Sequence, residues 1–248
     1  MKAIILAAGD GSRMGNLTKN LPKPLIDING SSIIERQLHN LRKNSIFNII
    51  IITGPNNEKF NFSNIEYVSD KNSKIHDQLG SLMCAKNSIV DDTLIIFGDI
   101  VFEESILEQI LESNHDVVLA VDMNWEKSYS NRTDNLFDDA DKVKIQNGKA
   151  SKIFKNFTKF DNKSDIGEFL GLMKLSGNGS KKFRECYEKL VLSHSGKFHD
   201  AESLEKAKLI DLLQELLCQE IEINVIPITG KWCEIDTEQD LKFAKEIF

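Results

Sequence analysis

Cysteine is sparse and scattered in this chain. Cys84, Cys186, Cys218 and Cys233 form no Cys-x-x-Cys pair, which leaves neither a zinc motif nor a disulfide framework and implies reduced thiols. Histidine offers no more: His39, His76, His115, His194 and His199 stand at no metal-ligand spacing, so a histidine-centred mechanism is not expected. No apolar run approaches the ~18 residues of a membrane span, and no basic start with an apolar segment and cleavage site precedes the first strand pattern. A cytoplasmic protein without membrane contact is expected. Positive charge is also short, since 31 Lys and Arg against 38 Asp and Glu leave a net charge of -7. That balance argues against a general nucleic-acid binder, whose affinity comes from clustered cations. Repeats and low-complexity tracts are absent, and no composition break divides the 248 residues. With 41% hydrophobic residues, one domain over 1–248 is expected, as a monomer or homodimer.

What is present begins at once. The apolar run Ala3-Ile4-Ile5-Leu6-Ala7-Ala8 breaks into Gly9-Asp10-Gly11-Ser12-Arg13-Met14-Gly15, followed by Leu21-Pro22-Lys23-Pro24-Leu25. A buried strand that ends in closely spaced glycines lets backbone N–H groups approach phosphate oxygens. Arg13 supplies a planar fork of donors and Lys23 a compact point charge, which suits a triphosphate whose charge grows as pyrophosphate leaves. The spacing is neither the P-loop nor the Gly-x-Gly-x-x-Gly dinucleotide fingerprint.

Farther along, apolar strand patterns alternate with helical ones: Lys2 to Leu6, a helix from about Ser32 to Lys43, then strands at 48–53 and 94–97. This rhythm predicts a largely parallel sheet covered by helices, with the site in loops at the carboxyl ends of the strands. Strand-like pieces at 117–121, 142–145 and 169–175 predict an inserted antiparallel lobe. Helices are predicted at about 181–192, 203–217 and 238–247, the last opened by a capping box at Thr237-Glu238-Gln239-Asp240. The polar stretch Ser128 to Asp141 is expected to be a mobile loop able to serve as a lid.

Leu6-Ala7-Ala8-Gly9-Asp10-Gly11-Ser12-Arg13 through Pro22-Lys23-Pro24-Leu25 resembles the signature of nucleotidyltransferases that make nucleotide-activated sugars and head groups. Val121-Asp122-Met123-Asn124-Trp125, Asn131-Arg132-Thr133-Asp134, Gly167-Glu168-Phe169-Leu170-Gly171-Leu172 and Trp232-Cys233-Glu234-Ile235-Asp236 are similar to segments of phosphonate cytidylyltransferases and their phosphocholine-activating relatives. The resemblance implies an α/β, Rossmann-like three-layer sandwich with a mostly parallel central sheet and a small antiparallel substrate lobe. The nucleotide part would cover about 1–120, the acceptor lobe about 121–235 and a closing helix 237–248. It further implies transfer of CMP from CTP to a small phosphonate or phosphoester acceptor, with pyrophosphate released. A sugar-1-phosphate nucleotidyltransferase, or a phosphocholine cytidylyltransferase, is the alternative.

Bringing two anions together requires a divalent cation, expected to be Mg²⁺. Asp99, just past the strand Leu94-Ile95-Ile96-Phe97, and Asp236, just before the last helix, are its expected ligands. Arg13 and Lys23 would stabilise the reacting phosphate, while Ala8, Gly9, Gly11, Ser12 and Ser81 would join them in holding the nucleotide. Ser81 also fits a helix cap. For the acceptor, Arg132 would grip the phosphonate, Asp122, Glu168 and Glu234 would accept from its amine or hydroxyl, and Trp125 or Trp232 would face an ammonium. Each of these carboxylates also fits a solvated surface, and each tryptophan a place in the core. Two departures stand out: Cys233 replaces an aromatic residue, and His76-Asp77-Gln78 stands where relatives often carry asparagines.

Overall fold

The structure, a computed structural model, describes residues 1–54, 57–129, 133, 140–155 and 163–248. In chain order the elements are β1 (Lys2–Ala7), β2 (Asp27–Ile28), β3 (Ser31–Ser32), α1 (Ile33–Lys43), β4 (Asn48–Thr53), β5 (Glu66–Ser69), α2 (Gln78–Met83), β6 (Thr93–Phe97), β7 (Ile100–Phe102) and α3 (Glu104–Leu111). They continue with β8 (Val117–Asp122), α4 (Glu126–Tyr129), β9 (Lys142–Gln146), β10 (Lys149–Phe154), β11 (Ile166–Leu175), α5 (Gly177–Ser193), α6 (Leu209–Cys218), β12 (Asn224–Pro227), β13 (Trp232–Glu234) and α7 (Glu238–Ile247).

Nine strands form one mixed sheet in the order β5-β4-β1-β6-β11-β8-β12-β10-β9. The first four are mutually parallel; β4, β1 and β6 are the continuous apolar runs expected of strands covered on both faces, while β5 is a largely exposed edge strand. β11 enters antiparallel between β6 and β8, and β12 then pairs parallel with β8. The antiparallel strands predicted over 117–175 are present, but they continue the central sheet rather than form a sheet of their own. Only the hairpin β9–β10 extends past β12, and β9 also reaches the end of β11. The reason lies in β11: all ten of its residues are buried, so its apolar surface belongs in the middle of a sheet.

Helix boundaries moved where local bonds compete. The helix predicted over 203–217 starts only at Leu209, because the carbonyls of Glu205 and Ala207 accept from the N–H groups of Asp77 and Leu79. α5 begins four residues before its predicted start, with the Ser176 hydroxyl accepting from Gly179 N–H as the cap. Of the expected lid, residues 130–132 and 134–139 lie outside the described residues. Among the described residues no helix is long and apolar enough to cross a membrane.

Where β1 and β6 end side by side, the chain is too tight for a side chain. Gly98 donates its N–H to Leu6 O at 2.8 Å, and a Cβ there would stand 2.5 Å from that same oxygen. Gly98→Ala is therefore expected to lower the urea midpoint, with a loss of about 1–3 kcal/mol of stability from overpacking against backbone.

Candidate functional site

The glycine loop leaves β1 and is fixed at two points. Gly11, at φ +66, turns the chain, and its carbonyl accepts from the Thr18 hydroxyl at 2.7 Å. Met14, fully buried, anchors the loop in a second apolar cluster with Ile26, Ile28, Val101, Ile235 and Leu241. The Pro22-Lys23-Pro24-Leu25 segment forms a tight turn, closed by bonds from Leu25 N–H to Pro22 O and from Ile26 N–H to Lys23 O.

The two expected metal carboxylates meet through a short ladder. β13 pairs antiparallel with β7, and Ile235 N–H continues the ladder to Asp99 O at 2.9 Å. The turn that carries Asp99 is braced from α1, where buried Gln37 donates to Phe97 O and Ile100 O, each at 2.8 Å. Asp236 is held by the capping box of α7: Asp240 accepts from the N–H groups of Asp236 and Thr237, and the Thr237 hydroxyl caps Asp240 N–H. The box stands at the residues where the sequence predicts it.

Between these carboxylates lies Lys23. Its ammonium is 2.5 Å from Asp236 Oδ1 and 2.8 Å from Asp99 Oδ2, while an Arg13 terminal nitrogen lies 2.9 Å from Asp236 Oδ2. Burial alone would lower the Lys23 pKa, but the charges of Asp99, Asp236 and Glu234 outweigh it and hold the ammonium above its ordinary value. Asp236 shows the converse, since burial would raise its carboxyl but Lys23 and Arg13 keep it low. Glu234 is pushed well up by burial and by repulsion from Asp236 and Asp99.

Asp99, Glu234 and Asp236 each place a carboxylate oxygen within 4.8 Å of the others. An all-oxygen set suits a hard divalent cation, and buried Asp99 Oδ1 has no hydrogen-bond partner among the described residues. The residues present thus fit a divalent metal, with Glu234, which the sequence suggests as an acceptor contact, as a third candidate ligand.

Two cavities meet at this cluster. One, of about 290 Å³, is walled by the glycine loop from Ala8 to Arg13, by Lys23 and Asp99, and on another side by His76, Gln78 and Ser81. The second, of about 190 Å³, is walled by Lys155, Glu168, Lys208, Trp232 and Glu234. Arg13, Gln78, Phe97 and Asp236 belong to both. Ser81 sits inside α2 rather than capping it, since Asp77 is the cap, and its hydroxyl donates to Asp70 Oδ2 at 2.7 Å.

The acceptor residues named from sequence divide. Glu168, Trp232 and Glu234 line the second cavity, where Tyr129 donates its hydroxyl to Glu168 Oε1 at 2.5 Å. Asp122 does not line it; its Oδ2 accepts the Trp232 indole N–H at 2.9 Å, so it orients the tryptophan. Trp125 is a correction. Only 2% exposed, it packs with Tyr129, Phe154 and Ile166, and this chain's own Lys142 stands 5.6 Å over its ring. Arg132 lies outside the described residues.

Lys155 and Lys208 were not legible as site residues. Lys155 pairs with Asp141 at 3.2 Å, and Lys208 is the backbone cap of α6. Burial, then repulsion from Lys155, lowers the Lys208 pKa.

Removing the Lys23 charge leaves three carboxylates facing one another. Their repulsion would raise their folded pKa values above the unfolded ones, so stability is lost as pH rises and regained as they take up protons. Lys23→Met is expected to melt lower than the parent at pH 8, with the gap narrowing toward pH 5 and on addition of Mg²⁺ at pH 8. Differential scanning fluorimetry across pH checks this.

The comparisons agree with this geometry. Residues 3–156 match the model of the MobA-like NTP transferase domain. Over 99% of this chain and all of the relative, the sequence is 28% identical to the CTP:phosphoglutamine cytidylyltransferase of Campylobacter jejuni. It is 31% identical to the bifunctional protein GlmU of Methanococcus maripaludis strain C5 over 82% of this chain, which spans about half (49%) of that protein. In fold, the CTP:phosphocholine cytidylyltransferase of Streptococcus pneumoniae superimposes with a TM-score of 0.75 at 21% identity, covering 99% of this chain and 98% of its own. The inositol-1-phosphate CTP transferase of T. maritima does so with a TM-score of 0.73 at 19% identity, covering 99% and 95%. A glycine loop at the end of β1, two cations and a carboxylate cluster at the mouth of a second cavity, carried on this mixed sheet, accompany a family match over more than half of the chain: the protein belongs to the MobA-like NTP transferase family of nucleotidyltransferases.

Proposed function

We propose that this chain is a cytidylyltransferase that moves CMP from CTP to a small phosphonate or phosphate monoester. The observation that carries the reading is the junction of two cavities at one charge cluster, with a nucleotide-sized space on one side and a lysine-walled space on the other. CTP as donor is supported by the phosphoglutamine enzyme, which aligns with the whole chain.

In this reading the triphosphate lies along Ala8, Gly9, Gly11 and Ser12, with Arg13 and Lys23 as its cations. Asp99 and Asp236, with Glu234 beside them, hold Mg²⁺, which supplies charge neutralisation at the α-phosphate. An acceptor oxygen attacks the α-phosphorus in line, the bond to the β-phosphate oxygen breaks, and pyrophosphate leaves. The acceptor oxyanion needs no general base near neutral pH, so positioning and electrostatic stabilisation carry the rate. Arg13, its side chain 58% exposed, has the freedom to turn from Asp236 toward the departing phosphates. Lys155 and Lys208 receive the acceptor's anion, and Glu168 and Trp232 face the rest of it.

A phosphonate of the 2-aminoethylphosphonate class fits the lysines at one end and Glu168 at the other. A phosphorylated amide or amino acid is the second reading, favoured by the phosphoglutamine relative. The test is pyrophosphate release with Mg²⁺, pairing CTP, UTP, GTP, ATP and dTTP with 2-aminoethylphosphonate, phosphocholine, phosphoglutamine or a hexose 1-phosphate. Turnover with CTP and one of the first three supports the reading and ranks the acceptors; turnover only with a hexose 1-phosphate overturns it.

Two substitutions separate the halves of the site. Lys23→Ala is expected to lower kcat by about 10²–10³-fold, as loss of transition-state charge stabilisation does. Lys155→Ala is expected to raise the acceptor KM about tenfold while the Kd for CTP stays within twofold.

A further inference from the structure

His76 is the one histidine in the wall of the nucleotide cavity among the described residues, and nothing in the proposed chemistry uses it. Its ring is held on two sides. Nδ1 lies 3.0 Å from both oxygens of Asp70, a carboxylate that also accepts from the Ser81 hydroxyl at 2.7 Å and from Asn72 N–H at 2.9 Å. Against the other side packs Gly80, where an added Cβ would stand 2.7 Å from His76 Cγ. Burial would raise the Asp70 carboxyl, but those hydrogen bonds hold it below its ordinary value, so it accepts from Nδ1–H. Of the two imidazole tautomers, the one with its proton on Nδ1 meets that acceptor, and it carries a lone pair on Nε2.

The wall formed by Ser73, His76, Asp77 and Ser81 belongs to neither the glycine loop nor the acceptor cavity. A triphosphate on the loop, with its α-phosphate at the junction, leaves this wall to the nucleoside. We propose that His76, oriented by Asp70 and seated on Gly80, reads the nucleotide base by accepting a hydrogen bond at Nε2 from an exocyclic amino group. Cytosine offers an amine at its 4-position where uracil offers a carbonyl oxygen, and a lone pair facing a carbonyl is repulsive. The inference rests on the proposed nucleotide reading and deepens it: discrimination of CTP from UTP comes from one imidazole whose tautomer is set from below.

Equilibrium binding tests this without knowledge of the acceptor. Kd values for CTP and UTP are measured by isothermal titration calorimetry with Mg²⁺ for the parent protein, His76→Phe and His76→Gln. The parent is expected to bind CTP more tightly than UTP. His76→Phe keeps a ring but no lone pair, and should weaken CTP about tenfold while leaving UTP within about twofold. His76→Gln, whose amide can rotate to donate or accept, should gain affinity for UTP, a result that a damaged fold does not give. A CTP to UTP ratio unchanged in both variants overturns the inference and leaves the cytidylyltransferase reading standing. A parent protein that prefers UTP, or binds neither nucleotide, overturns both.

Discussion

The rest of the site depends on a cation held among three carboxylates, of which Asp236 is buried and Asp99 and Glu234 half-buried. Asp99, Glu234 and Asp236 come within 4.8 Å of one another because β7 and β13 are laced together by backbone hydrogen bonds, and the ladder gives them no freedom to separate. Like charges at such distances in a low-dielectric place repel by several kcal/mol unless a counter-charge sits with them. Lys23 is that counter-charge, with Arg13 helping from the solvent side. The same ammonium that lets the protein fold with its acids together is therefore part of the machinery proposed for the phosphates. In the proposed reaction a metal arriving with its triphosphate would bring both signs of charge, so Lys23 and Arg13 could exchange carboxylate partners for phosphate oxygens with little change in the local balance.

Such an exchange requires the carboxylates to stay in place while their partners move, and the supports are built accordingly. Asp99 rides on a turn bonded to Gln37 and to Ile235, and Asp236 on a helix cap closed by Asp240. Both supports draw on backbone carbonyls or N–H groups, which do not depend on what is bound. The glycine loop is tethered by buried Met14 in the same small apolar cluster that holds Val101 and Ile235, the neighbours of the two aspartates. Loop and carboxylates thus share one foundation, apart from the main core.

How much of this was legible follows from what each residue answers to. The glycine loop, Lys23, Asp99 and Asp236 could be found because each is fixed by its own neighbours in sequence: a strand end, a proline-flanked turn, a strand followed by glycine, a capping box. Glu234 was legible as an acceptor contact and does line the second cavity, but its nearness to Asp99 was not legible, since that exists only through the β7–β13 ladder. Trp125 looked available because an aromatic residue after a strand can face either way; that Lys142 would occupy its face is a tertiary fact. Lys155 and Lys208 carry no local signal, being two lysines in a chain with many, brought together by packing α6 on β10. The antiparallel strands over 117–175 were legible as strands, but the pattern does not say which sheet receives them.

The pairing of Lys155 with Lys208 also bears on how an anionic acceptor approaches an anionic donor. Lys208 is depressed by burial and by its neighbour's charge, which means that the pair is held at a cost while nothing negative lies between them. Asp141 offsets part of that cost from the Lys155 side. A phosphonate or phosphate dianion entering this cavity removes the remainder, so its binding is driven by relief of repulsion as well as by direct attraction. On this reading the site meets the central difficulty of the proposed reaction, two anions brought to one phosphorus, by interleaving lysines with carboxylates on both sides of the junction: Lys155 and Lys208 beside Asp141 and Glu168 in the second cavity, Lys23 and Arg13 against Asp99 and Asp236 in the first.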